Sequence, residues 1–204
     1  MKWAIFGGSF DPVHLGHVAV ADAVHRHLRP DCLFWIPARQ APHKPEAQPL
    51  AGSQRLALLE ALCQERDRER VLDLELRREG PSFTVDTLQA LAGNNPEAEL
   101  WLVMGADSLS HLATWHRFSD LLTMAKIALV PRPGWGLEQL QTFADRLSET
   151  QRRSFRAHFL DMEEVDLSST EIRRRLLQGQ DCSHALPAAV AELIRRRKLY
   201  CSPS

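Results

Sequence analysis

Ala4-Ile5-Phe6-Gly7-Gly8-Ser9-Phe10-Asp11-Pro12-Val13-His14-Leu15-Gly16-His17 is the stretch on which the reading of this chain turns. Residues 3–6 form a short apolar run that reads as a buried strand. Gly7-Gly8 follow at once, then Ser9 and the turn pair Asp11-Pro12. From about His14 the period becomes helical, with Leu15, Val18, Ala21, Val24 and Leu28 spaced by three or four. A strand passing through two glycines into a helix start exposes backbone N–H groups that have no partner inside the helix. They stand at the positive end of the helix dipole, a place that attracts phosphate. His14 and His17 are three apart and share a helical face, so both can point at one anion. The glycines fall at 7, 8 and 16, which is not a Gly-x-Gly-x-x-Gly turn, and no Gly-Lys pair exists for a P-loop.

Outward from this stretch, strands and helices alternate. Residues 32–36 read as a second buried strand. Residues 37–52, with prolines at 37, 42, 45 and 49, read as a loop carrying Arg39 and Pro42-His43-Lys44. A helix begins at Ser53 with Leu56, Leu59 and Leu62 on one face, and residues 71–76 alternate apolar and acidic like a half-exposed strand. Ser82 or Thr84, after Pro81, is expected to cap the next helix. Residues 100–104 and 126–130 are apolar strands, ending at Gly105-Ala106-Asp107-Ser108 and at Pro131-Arg132-Pro133-Gly134. Short helices are expected over 109–115 and 117–122, a longer one over 137–150, and a last strand over 157–162. Ser168 and Glu171 form a capping box that opens a helix running to about Gly179, and a final helix covers 187–198. This alternation predicts a single α/β domain over residues 1–204, a doubly wound, Rossmann-like parallel sheet. Ligands of such sheets bind beyond the carboxyl ends of the strands, where the informative loops converge.

Composition narrows the function classes. With 25 Lys plus Arg against 26 Asp plus Glu and a net charge of −1, the chain lacks the basic excess of a general nucleic-acid or membrane-surface binder. No apolar run approaches the roughly 18 residues of a spanning helix, and the first is too short for a signal peptide. Cys32, Cys63, Cys182 and Cys201 are scattered without zinc or disulfide-framework spacing. The cytoplasm is the expected location, and a homo-oligomer remains open.

Ser168-Ser169-Thr170 with Arg173 one turn inside the helix forms a second phosphate-shaped element, because arginine clamps phosphate oxygens bidentately. The 4–17 stretch resembles the (T/S)-F-D-P-x-H-x-G-H signature of the nucleotidyltransferase superfamily, and 167–173 resembles its I-S-S-T-x-I-R element, with Leu167 for Ile. Pro42-His43-Lys44, Ser82-Phe83-Thr84-Val85-Asp86-Thr87-Leu88, Gly105-Ala106-Asp107-Ser108 and Trp115 look like motifs of the bacterial nicotinate-nucleotide adenylyltransferases. The resemblance covers essentially the whole chain. Ser9 stands for the more usual Thr and keeps the hydroxyl; Phe83 stands for a frequent Tyr and keeps only the ring.

The resemblance implies AMP transfer from ATP to nicotinate mononucleotide, giving deamido-NAD and pyrophosphate. It implies small-molecule substrates only, and Mg²⁺ bridging their phosphates without a protein cage. Carried over, it makes His14, His17 and Arg173 catalytic and adds Ser169 and Thr170 to the triphosphate contacts. Gly8, Ser9 and Phe10 line the junction of the nucleotides, and Gly105 and Asp107 lie near adenosine. Thr84 and Trp115 hold the nicotinate ring, while Lys44 and Arg132 face phosphate. The remaining histidines at 25, 27, 111, 116, 158 and 184 are read as surface or packing residues. A phosphopantetheine adenylyltransferase or a cytidylyltransferase is the nearest rival, lacking the 42–44 and 82–88 elements. A non-catalytic nucleotide-binding module is the rival of another class, and a tRNA synthetase fragment is disfavoured by the missing Lys-Met-Ser-Lys-Ser loop.

Overall fold

The strands β1 (Lys2–Gly8), β2 (Cys32–Pro37), β3 (Glu69–Val71), β4 (Glu99–Gly105), β5 (Ala125–Val130) and β6 (Ala157–Phe159) form one six-stranded sheet ordered β3-β2-β1-β4-β5-β6. Every neighbouring pair is parallel. The computed structural model describes residues 1–39, 50–163 and 165–201; the expected Pro42-His43-Lys44 element lies outside the described residues.

The central strands β1, β2, β4 and β5 are mostly apolar because both faces are covered. Successive side chains point to opposite sides, so Ala4, Phe6, Trp101, Val103, Ala128 and Val130 enter one core. Trp3, Ile5, Leu100, Leu102, Met104, Ile127 and Leu129 enter the other. Over the first lie α1 (Leu15–Leu28), α2 (Gly52–Cys63), α8 (Ser169–Leu177) and α9 (Ala188–Arg197). Over the second lie α4 (Thr84–Asn94), α5 (Phe118–Met124) and α6 (Leu137–Asp145). Burying each of the larger side chains contributes about 1.5–3 kcal/mol, and a one-residue slip of a strand would exchange the two faces. The doubly wound parallel sheet expected from the alternation is the architecture found.

Four local expectations need correction. Residues 71–76 are not a strand: β3 ends at Val71, and Leu74–Arg77 is a four-residue helix, α3. The acidic alternation misleads because Glu75 is buried, accepting a hydrogen bond from Thr87 Oγ1 at 2.8 Å. Neither Ser82 nor Thr84 caps α4; Phe83 holds that place without a side-chain bond, while Ser82 Oγ accepts from the N–H of Arg39. The helix expected over 137–150 is two, α6 and α7 (Glu149–Ser154), divided where Ser148 Oγ accepts from Gln151 N–H and starts a new helix. The final strand stops at Phe159. Among the described residues no helix is long and apolar enough to cross a membrane.

Candidate active site

The chain lays β1, β2 and β3 outward to one side, then crosses back to place β4 beside β1. Loops leaving the carboxyl ends of β1 and β4 diverge, and a cleft of about 1120 Å³ opens there, at the reversal of strand order. It is lined by every site residue expected from the sequence except Lys44, which lies outside the described residues.

The loop after β1 is built on a buried aromatic. Phe10 sits at φ 48°, a left-handed conformation costly for a bulky residue, and its ring is 1% exposed. The ring stands edge-on to Phe6, Trp35 and His17, with centroids 5.4, 5.3 and 5.1 Å away. A Cβ on Gly8 would come within 3.0 Å of the Phe10 ring, so the loop lies flat on it only with glycine there. Phe10 thus supports the cleft from beneath, packing against His17 from the core.

His14 caps α1 and His17 sits in its first turn, their ring centroids 3.8 Å apart. The backbone N–H of His14 donates to Nδ1 of His17 at 3.3 Å, which puts the proton of the neutral His17 ring on Nε2. His14 is 6% exposed, and its buried Nδ1 has no hydrogen-bond partner among the described residues. Burial first, then the charge of Arg132, lowers its pKa to about 4, so the ring is neutral at neutral pH. A Cβ on Gly16 would stand 3.0 Å from the His14 ring, so glycine lets that ring lie against the first turn of α1.

That element docks directly onto the first. Ser168 Oγ caps α8 by accepting from Glu171 N–H, leaving Ser169 to donate to the carbonyl of Pro12 at 3.0 Å. Arg173 Nη1 donates to the carbonyl of Asp11 at 2.7 Å, and its Nη1 stands 3.7 Å from Asp11 Oδ2. Arg173 Nη2 donates to Thr170 Oγ1 at 3.4 Å. Residues 157 and 162 positions apart are thereby joined, and two helix starts share one mouth.

Across the cleft, Gly105 ends β4. A Cβ there would collide with Oδ1 of Asp107, whose carboxylate folds back over the glycine. Arg132, after β5, stands 3.9 Å from that oxygen, and both side chains remain substantially exposed to the cleft. Thr84 is the first residue of α4, and half-buried Trp115 faces the same space from the loop before α5. His111 and His116, read from the sequence as surface or packing residues, also line it, and His116 stacks on Phe83 with centroids 4.4 Å apart.

The sequence reading assigned no supporting role to four residues: Arg55, Asp11, Glu75 and Tyr200. Arg55 of α2 is 2% exposed and donates to three carbonyls, Ser9, Ala38 and Leu50, tying the first loop to the exit of β2. Asp11 is 3% exposed and accepts from Leu50 N–H and from the hydroxyl of Tyr200. Glu75 lies at the cleft near Thr84, its pKa raised by burial against the hydrogen bonds from Thr87 and Ser82. Arg55 had a signal: it lies on the buried side of α2, one position before the expected Leu56.

A parallel sheet of this order, with two phosphate-type helix starts meeting at its reversal, defines a nucleotidyltransferase class, and the family model described as Cytidylyltransferase-like matches residues 5–175. A "Probable nicotinate-nucleotide adenylyltransferase" of Dehalococcoides mccartyi is 35% identical over 202 residues, 98% of each chain. One of Herpetosiphon aurantiacus is 36% identical over 196 residues, 96% of each. The fold is similar to that of the Plasmodium falciparum nicotinic acid mononucleotide adenylyltransferase complexed with NaAD, at TM-score 0.76 and 16% identity, covering 98% of this chain and 97% of that one. Within its class the chain belongs to the nicotinate-nucleotide adenylyltransferase family.

Proposed function

We propose that the chain transfers the adenylyl group of ATP to nicotinate mononucleotide, forming deamido-NAD and releasing pyrophosphate. The observation that carries this reading is the junction of the two phosphate elements, Ser169 on Pro12 and Arg173 on Asp11, at the mouth of the cleft. A polyphosphate along that junction meets the first turns of α1 and α8 together, and the space between Asp107 and Trp115 is left for the two nucleosides.

The reaction needs no protein nucleophile. The mononucleotide phosphate, with a second pKa of about 6, is already an anion at neutral pH. One of its oxygens attacks the α-phosphorus in line; the new P–O bond forms as the bond to the pyrophosphate oxygen breaks, and the pyrophosphate leaves with the electron pair. The protein holds two anions together, which is worth about 7–11 kcal/mol when their geometry is near that of attack. His17 donates from Nε2 to the α/β-phosphate region, and a hydrogen bond to a charged group contributes about 1.5–3 kcal/mol. Arg173 and the N–H groups at Ser169 and Thr170 meet the charge that grows on pyrophosphate. Phosphate beside His14 favours its charged form, opposing the burial that holds it neutral.

Mg²⁺ enters as part of the substrate, MgATP. The described residues contain no group of three or more His, Cys, Asp or Glu able to hold a metal. Gly105 and Asp107 face the adenosine, Thr84 and Trp115 the nicotinate ring, and Arg132 phosphate. The balanced charge and the free thiols of Cys32, Cys63, Cys182 and Cys201 suit the reducing cytoplasm.

The test is pyrophosphate release from MgATP with nicotinate mononucleotide or nicotinamide mononucleotide. Release that depends on the nucleotide and is faster with the nicotinate form supports the reading. No release with either, or faster release with pantetheine phosphate or another phosphate acceptor, overturns it.

A further inference from the structure

Tyr200, far along the chain, reaches into the first phosphate loop. It follows α9, where Lys198 lies at φ 51° and Leu199 N–H bonds to the carbonyl of Ile194 at 3.0 Å. Tyr200 itself is held at φ 58°, a left-handed conformation costly for an aromatic residue. Its side chain is buried in the core that includes Phe6, Phe10 and Val13.

The strained turn delivers the phenol to Asp11. Tyr200 Oη donates to Asp11 Oδ1 at 2.7 Å, across 189 positions of sequence. Burial, then the adjacent carboxylate, pushes the phenol pKa far above its ordinary value, so it stays a donor throughout the physiological range. Asp11 Oδ1 also accepts from Leu50 N–H at 3.3 Å, which leaves Oδ2 facing Arg173 Nη1 at 3.7 Å. With both donors on one oxygen, the carboxylate cannot turn away from Arg173 without breaking a buried bond.

We propose that Tyr200 is a positioning residue for adenylyl transfer: by fixing the Asp11 carboxylate, it holds the Arg173 guanidinium where charge develops on the departing pyrophosphate. The inference rests on the reading of Arg173 given above. Tyr200 touches no substrate; it acts through Asp11.

The test is steady-state kinetics with MgATP and nicotinate mononucleotide on Tyr200→Phe, Arg173→Lys and the double variant. Tyr200→Phe keeps the ring and removes only the hydroxyl. Its kcat is expected to fall about ten- to hundredfold, as misplacement of a catalytic group predicts, with KM for the mononucleotide within about twofold. Adding it to Arg173→Lys should lower kcat little further, because both changes disturb one guanidinium. Unchanged kcat in Tyr200→Phe, or effects that multiply in the double variant, overturns the proposal, whatever happens to Tm. If Tyr200→Phe does not fold, Asp11→Asn replaces it: it keeps the Oδ1 acceptor and removes the charge facing Arg173, and its kcat should fall likewise. Near-normal turnover in Arg173→Lys would instead overturn the role of Arg173, and the positioning role with it.

Discussion

His14 and His17 are joined through the backbone of one and the ring of the other: the N–H of His14 donates to Nδ1 of His17 at 3.3 Å. That bond fixes which nitrogen of His17 carries the proton, and the Phe10 ring packs edge-on against it, centroids 5.1 Å apart. His17 is therefore a pre-set donor, whereas His14, stacked on it and buried, is a neutral ring at rest.

His17→Ala removes that donor. Turnover is expected to drop about ten- to hundredfold, the equivalent of one charge-assisted hydrogen bond, while the dissociation constant of the mononucleotide changes far less. Single-turnover kinetics alongside calorimetric binding separates the two; near-normal turnover would remove His17 from the chemistry.

His14 makes stability depend on pH. Its pKa is lowered from 6.5 to about 4, so the unfolded chain binds a proton first and stability rises with pH across that window. This contribution is complete above the unfolded value and is lost as pH falls from 6.5 toward 4. Urea unfolding of the wild type should lose about 2 kcal/mol more than His14→Gln between about pH 7 and pH 5. Parallel losses in both proteins would assign the acid sensitivity elsewhere.

Trp115→Ala tests the ring pocket. Stacking of a base on an aromatic side chain is worth about 1–3 kcal/mol, so KM for nicotinate mononucleotide should rise about five- to hundredfold. KM for ATP should scarcely move. Equal effects on both substrates would take Trp115 out of the nicotinate pocket.

Gly105→Ala places a methyl group against Asp107 Oδ1 and 3.4 Å from Arg132 Nε. The carboxylate must swing away from the end of β4. KM for ATP is expected to rise several-fold with Tm nearly unchanged, since the displaced groups are both substantially exposed. A rise confined to the mononucleotide would move Asp107 to the other substrate.

Much of this was legible. The apolar runs of β1, β4 and β5 needed only both-face burial to be recognised. Of the capping box expected at Ser168 only half forms, since Ser168 Oγ accepts from Glu171 N–H while the Glu171 carboxylate bonds Arg174 instead. The site residues were readable where a motif concentrated them within a few positions. The supporting roles of Arg55, Asp11, Glu75 and Tyr200 were not, even with Asp11 inside the motif, because their partners lie 5 to 189 positions away and nothing local distinguishes a buried polar side chain from a solvated one. Glu75 was misread for that reason, and with it the strand expected over 71–76. The split of 137–150 was legible in hindsight, in Ser148 and Gln151.

The strand order has a consequence during synthesis. β1 is made first, and β2 and then β3 can pair outward from it on one side only. Until residues 99–105 emerge from the ribosome, the other edge of β1, from Lys2 to Phe6, has no strand to pair with. An apolar strand with an open edge is a template for pairing with other chains. The nascent protein thus carries an open edge, until β4 is made, along the same strand that ends in Gly7-Gly8.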